Sequence, residues 1–133
     1  MASGKQVGEF SLKASTFTYT PGPAGSVLVH VNLEGPATNF GTVFGTMTAV
    51  SAGQKSGTWS WCAAGYLDNG DSVTGNGQGT FNSNGPNRWS TQGSIEISDG
   101  RNIVVEGEMN LATRTWSGKL FERSLAKKIV LSD

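Results

Sequence analysis

The chain has 133 residues, enough for about one domain with a core that needs no covalent staples. Ten basic residues balance ten acidic ones, so neither the field that tracks a phosphate backbone nor a polybasic membrane anchor is present, and nucleic acid and lipid surfaces are excluded as first guesses. A single cysteine, Cys62, and a single histidine, His30, exclude an internal disulfide and a Cys/His metal site, so no metal and no cofactor is expected.

Nineteen Gly stand with 13 Thr and 15 Ser against only eight Leu, the balance of a chain of turns and strands rather than helices. Four Trp, six Phe and two Tyr are spread along it and supply a core, which argues against low-complexity disorder. The expectation is a single all-β domain over 1–133, with the barrel over roughly 6–122 and a tail over 123–133. MASGKQVGEF carries no apolar signal-peptide region, no stretch reaches the roughly 18 apolar residues of a spanning helix, and no Asn-x-Ser/Thr acceptor occurs. A cytoplasmic location is the expectation that follows.

In chain order, breakers fall at Pro21-Gly22-Pro23, Gly35-Pro36, Ala52-Gly53-Gln54-Lys55, Asn69-Gly70, Asn84-Gly85-Pro86, Asp99-Gly100 and Ala112-Thr113. They delimit strands at about 6–19, 26–34, 39–50, 57–68, 71–82, 87–97, 102–111 and 114–122. Asn-Gly and Asp-Gly between extended runs predict type I′ hairpins, so neighbours should pair antiparallel. Strands this long favour a closed up-and-down barrel over a sandwich of short ones.

Alternation sorts the faces. Val27, Val29, Val31 and Leu33 share one face of the second strand, with Leu28, His30, Asn32 and Glu34 on the other. The sixth strand sets Trp89, Thr91, Ile95 and Ile97 against Arg88, Ser90, Gln92, Ser94 and Glu96. The seventh sets Ile103, Val105, Met109 and Leu111 against Val104, Glu106, Glu108 and Asn110. In the third to fifth strands Gly41, Gly45, Gly57, Gly65, Gly75, Gly77 and Gly79 stand where side chains would sit, allowing sharp coiling and room for bulky neighbours. The tail from Ser124 to Asp133 reads as a short helix or an extra strand against a barrel end.

The runs GTVFGTMTAV, GTWSWCAAGYLDNGDSVTGNGQGTF and RWSTQGSIEISDGRNIVVEGEMNLATRTWSGKLFE resemble the small calycin-type barrels related to allene oxide cyclase, dirigent proteins and an uncharacterised bacterial group. The resemblance covers roughly residues 7–122 as a pattern of Gly-Thr strand starts and hairpin turns. It implies an eight-stranded antiparallel barrel with a side-chain-lined interior, commonly a homo-oligomer such as a dimer or trimer, whose members bind or cyclise small apolar molecules without a cofactor. It carries no catalytic motif across. The Gly-Thr-Trp at 57–59 is also similar to streptavidin-like barrels, without their polar ligand constellation.

Candidate chemistry is sparse. Glu106 and Glu108, two apart on one strand face, have the spacing of an acid and base pair if that face is the lumen; otherwise they are solvated partners of Arg88 or Arg114. His30 is a candidate base near neutral pH, set against a place on the polar surface with Asn32 and Glu34. Cys62 reads as a packed, inert thiol. GNGQG at 75–79 lacks the following helix that a dinucleotide fingerprint requires. Trp59, Trp61, Tyr66, Trp89 and Trp116, with Arg88 as an anchor for a carboxylate, are the candidate ligand-binding residues. The expected function is binding of a small apolar or aromatic ligand, extending to cofactor-free isomerase, cyclase or lyase chemistry if an acid or base reaches it. The alternative is a filled barrel that works by oligomerisation or protein interaction, for which Leu28 and Val104 interrupt the polar faces as contact points.

Overall fold

The computed structural model of the protein describes residues 3–50 and 55–123. Eight strands follow one another: β1 Ser3–Pro21, β2 Val27–Ala37, β3 Gly41–Val50, β4 Ser56–Tyr66, β5 Ser72–Gly85, β6 Arg88–Ile97, β7 Asn102–Asn110 and β8 Thr115–Arg123. Each pairs antiparallel with its neighbour, and β1 also pairs with β8, which closes the sheet into an up-and-down barrel. The remaining regular element is a three-residue 3₁₀ turn at Pro23–Gly25; no helix among the described residues is long and apolar enough to cross a membrane. The all-β expectation and the eight-strand count therefore hold. The expected turn at Ala52-Gly53-Gln54 and the tail from Ser124 lie outside the described residues.

Inward-facing positions follow a simple parity. On β2 to β7 the odd-numbered residues point in, as Val31, Val43, Trp59, Phe81, Ile95 and Val105 illustrate, while on β8 the even-numbered Trp116 and Leu120 do so. β1 changes parity within itself. Phe10, Leu12 and Ala14 face the core, then a bulge between Ala14 and Thr16 inserts Ser15, after which Phe17 packs inward. An inserted residue bends a strand and raises its twist. That bend lets one 19-residue strand pair with β8 through its first half and with β2 through its second.

Three turns differ from expectation. Gly35-Pro36 lies inside β2, and the chain reverses only at Thr38–Phe40, where Phe40 N–H donates to Ala37 O at 3.0 Å. The irregular end is held from outside the ladder: Thr38 N–H donates to Glu9 O, and Glu9 N–H donates to Thr38 Oγ1, both at 3.0 Å. Asn69-Gly70 and Asp99-Gly100 make hairpins, but not type I′ ones, because only the glycine of each pair takes positive φ. Gly70 N–H donates to Leu67 O at 3.0 Å and Leu67 N–H to Asp71 O at 2.9 Å, the three-residue loop with a glycine bulge. The Asn69 side chain accepts Asp71 N–H at 2.9 Å and the Asp99 side chain accepts Arg101 N–H at 3.1 Å, so these residues act through their oxygens rather than through a left-handed backbone. Gly70→Ala, at φ +96° with open space around it, should cost about 1–2 kcal/mol through backbone strain alone, measured by urea unfolding with an unchanged denaturant slope.

The core is a fit of large rings to missing side chains. A Cβ on Gly93 would come within 2.5 Å of Trp59 Cζ2, and one on Gly45 within 2.6 Å of Trp61 Cη2. A Cβ on Gly107 would lie 3.0 Å from Phe10 Cζ. Inward glycines therefore form the seats of the Trp59, Trp61 and Phe10 rings, which is how a narrow eight-stranded barrel accommodates them in its interior.

Candidate functional site

Trp116, on β8, is the centre of the interior. Its ring meets Phe10 at 5.0 Å, Trp61 at 5.0 Å and Trp59 at 5.4 Å between centroids, with interplanar angles of 70°, 69° and 72°. These are edge-to-face contacts, the geometry in which a ring's positive edge meets a negative face. The polar ends are met: Trp116 Nε1–H donates to Thr91 Oγ1 at 3.0 Å, and Trp59 Nε1–H donates to Thr80 O at 3.0 Å.

This aromatic layer divides the interior. On one side, toward the turn at Thr38–Phe40, lies a space of about 70 Å³ among Phe10, Phe40, Trp61, Ile95, Ile103 and Leu120. It is under half of the roughly 150 Å³ apolar cavity that accepts a benzene, and is a packing gap rather than a site. Phe40 lies at that end beneath Arg101, whose guanidinium carbon stands 4.4 Å from the ring centroid and whose Nη2 is 2.8 Å from Asp99 Oδ2. The exposed Asp99 carboxyl is held below its ordinary value, first by the side-chain hydrogen bond from Arg101 and then by the Arg101 backbone N–H. The pair is thus intact near neutrality and is lost as acid carries the solution down through that lowered value.

On the other side, toward the β5–β6 and β7–β8 connections, lies a cavity of about 290 Å³. Its walls include Phe17, Val29, Val31, Met47, Ala49, Trp59, Phe81, Trp89, Met109 and Leu111, with Asn87, Thr91 and the Tyr19 hydroxyl adding polar groups among the described residues. Asn87 is exposed, whereas Thr91 is only 3% exposed.

The aromatic candidates divide accordingly. Trp59, Trp61 and Trp116 make one cluster; Trp59 and Trp89 line the wider cavity, and Trp61 and Trp116 the smaller. Tyr66 does not join them. It is 52% exposed on the outer wall, in edge contact with Phe44 at 6.0 Å, because its even number puts it on the opposite face of β4 from the two tryptophans. Arg88 is likewise exposed, at the start of β6 with its guanidinium against Gly85, and is not among the residues lining the cavity.

The catalytic candidates all stand outside. Glu106 sits across from Gln92 and Lys119, and Glu108 accepts Asn84 Nδ2–H at 3.1 Å. His30 is half-buried on the outer wall of β2, with Thr20 Oγ1 2.9 Å from Nε2 and Thr48 Oγ1 3.0 Å from Nδ1. One turn of the same ladder away, Asn32 donates to Thr16 Oγ1 and accepts from Thr46 Oγ1, both at 2.7 Å. His30 and Asn32 thus bridge three strands, a structural use of polar side chains. Cys62 is exposed on the outer wall between Thr46 and Asn76, contrary to the expectation of a packed thiol; the alternation that buries Trp61 turns its neighbour outward. No three His, Cys, Asp or Glu side chains gather into a metal-ligating group among the described residues.

Several lining residues carried no functional expectation. Thr91 had a signal, a lone hydroxyl in the inward row Trp89, Thr91, Ile95, Ile97; Phe17 and Tyr19 alternate with Thr16, Thr18 and Thr20, but the Ser15 bulge sets them at the opposite parity to Phe10 and Leu12. The fold and interior define a closed antiparallel β-barrel with an apolar cavity at one end. Comparisons with protein-family models, with curated proteins and with solved structures find no match to this chain.

Proposed function

We propose that the barrel binds a small apolar or aromatic molecule in its wider cavity. The observation that carries this reading is a space of about 290 Å³ with an aromatic and aliphatic wall, nearly twice the roughly 150 Å³ that takes a benzene. Binding is favoured over turnover by the position of the ionisable groups: Glu106, Glu108 and His30 are on the outer wall, and among the described lining residues the ionisable side chain is Tyr19, exposed at the mouth. The resemblance to calycin-type barrels supports the same reading, and a cytoplasmic setting rests on the sequence alone.

Small aromatic molecules such as naphthalene and indane are expected to change tryptophan emission and to raise the melting temperature with concentration, as any ligand selective for the folded state must. Ala49→Phe, which fills the cavity from β3, should abolish this response while the circular dichroism stays that of a β-barrel. A panel of such compounds that neither shifts emission nor melting would overturn the reading. The second reading, self-association through the outer wall, has in its favour Phe44, 48% exposed, stacked edge-on against exposed Tyr66. Sedimentation at micromolar concentration separates it: a mass of two or more chains that falls to one in Phe44→Ser supports it, and a monomer throughout does not.

A further inference from the structure

We propose that the wider cavity selects apolar molecules carrying one hydrogen-bond acceptor, in simplest form a ketone oxygen, and that Thr91 is the group that recognises it. This rests on the binding reading above and specifies its ligand. Thr91 lines the cavity from β6 and is 97% buried by the measure of its 3% exposure. An indole N–H can only donate, so the 3.0 Å bond from Trp116 Nε1 makes the Thr91 hydroxyl an acceptor there. Its own proton is left over. Among the described residues Thr91 has no hydrogen bond to an acceptor that would take that proton.

A buried donor without a partner is costly, and the other polar groups of the described lining do not meet it at depth: Asn87 and Tyr19 are exposed, and the indoles of Trp59 and Trp89 can only donate. A lone water is a poor solution on an apolar wall, since a buried water needs two to four polar partners. A ligand oxygen on an otherwise apolar frame is a good one: it takes the proton while the frame covers Trp59, Met47 and Met109. A carboxylate fits this lining less well, because no cationic side chain lines the cavity among the described residues and an unpaired buried charge is far more expensive than an unpaired hydroxyl. Trp116 acts here as a positioning residue. Its N–H takes up one lone pair of the hydroxyl oxygen, which leaves the Thr91 proton for a ligand acceptor.

Indanone and indane, which share a bicyclic frame and differ by one carbonyl, test this by calorimetry and infrared spectroscopy. Both are expected to bind the wild type. The carbonyl stretch of bound indanone should move to lower frequency than in a hydrocarbon solvent, reporting a hydrogen bond. Thr91→Val should weaken indanone by roughly three- to tenfold, the worth of one neutral hydrogen bond, and leave indane unchanged, with Thr91→Ser restoring indanone. An unshifted carbonyl, or an indanone to indane ratio that Thr91→Val does not move, overturns the role of Thr91 and leaves the cavity as a general apolar site. If neither compound binds the wild type, both this inference and the binding reading fall. The infrared measurement uses the wild type and decides the matter even if Thr91→Val does not fold.

Discussion

Trp116→Ala is expected to destabilise the fold by about 3–5 kcal/mol, the range for emptying a large aromatic site in a packed core. The ring is 1% exposed and meets Phe10, Trp59 and Trp61 at once, so its loss removes three edge-to-face contacts together with its own burial. It also leaves Thr91 without its donor. The layer that separates the 70 Å³ and 290 Å³ spaces would then be breached, and the two would merge into one cavity through the barrel. Thermal unfolding should show a midpoint lowered by roughly 10–20 °C. Trp116→Phe should recover much of this while leaving the hydroxyl of Thr91 unpaired. A loss under about 1 kcal/mol for Trp116→Ala, well below the range for a buried tryptophan, would mean that the aromatic layer is not the keystone of the core.

A single added methyl should also be felt strongly at the right glycine. In Gly79→Ala the new Cβ would overlap both the Trp59 ring and the Gln92 carbonyl oxygen on the adjoining strand, and a backbone oxygen cannot move aside without distorting the β5–β6 ladder. The expected cost is about 1–3 kcal/mol or more from overpacking, against the small gain that Gly→Ala brings where the site has room. Gly75→Ala, four residues along the same inward row, is the control. Its Cβ would meet Ile95 Cγ2 and Ile97 Cδ1 at 3.1 Å, side-chain methyls that need give by only a few tenths of an ångström, with no backbone atom so close. Urea unfolding of the two variants should rank Gly79→Ala clearly the less stable. Equal stabilities would contradict the account of inward glycines as seats for the rings.

The contrast between these glycines also shows what was readable from the residues alone. Where the inward row carries side chains, as in Val29, Val31 and Leu33 or Ile103, Val105 and Met109, period-two alternation identified the core face. In β4 and β5 the inward row is partly Gly57, Gly65, Gly75, Gly77 and Gly79, which have no hydropathy to alternate, although they are as much part of the core's shape as the rings above them. Parity breaks at an inserted residue, and Ser15, between Ala14 and Thr16, carries no mark of its role. That insertion puts Phe17 and Tyr19, which alternate with threonines, at the opposite parity to Phe10 and Leu12, so the two inward rows of β1 do not read as one. Tyr66 was grouped with the tryptophans by chemistry, although its spacing from Trp61 already placed it on the other face. Thr91 sat on the inward row in plain view, but its significance depends on Trp116, 25 residues away, reaching it across the barrel.

The pairing of β1 with β8 has a kinetic meaning. Seven ladders join strands adjacent in sequence and can form as local hairpins; the eighth joins Gln6 to Phe121 and Lys13 to Thr115, from opposite ends of the fold. The entropy of bringing distant segments together is therefore concentrated in that one seam, which should zip last and limit the folding rate. Until it closes, the sheet has two free edges, each a row of unmet N–H and C=O groups able to pair with another copy of the chain. Substitutions that loosen this seam should lower the yield of folded protein through intermolecular strand pairing, at high concentration first, even where the closed barrel itself is hardly weakened.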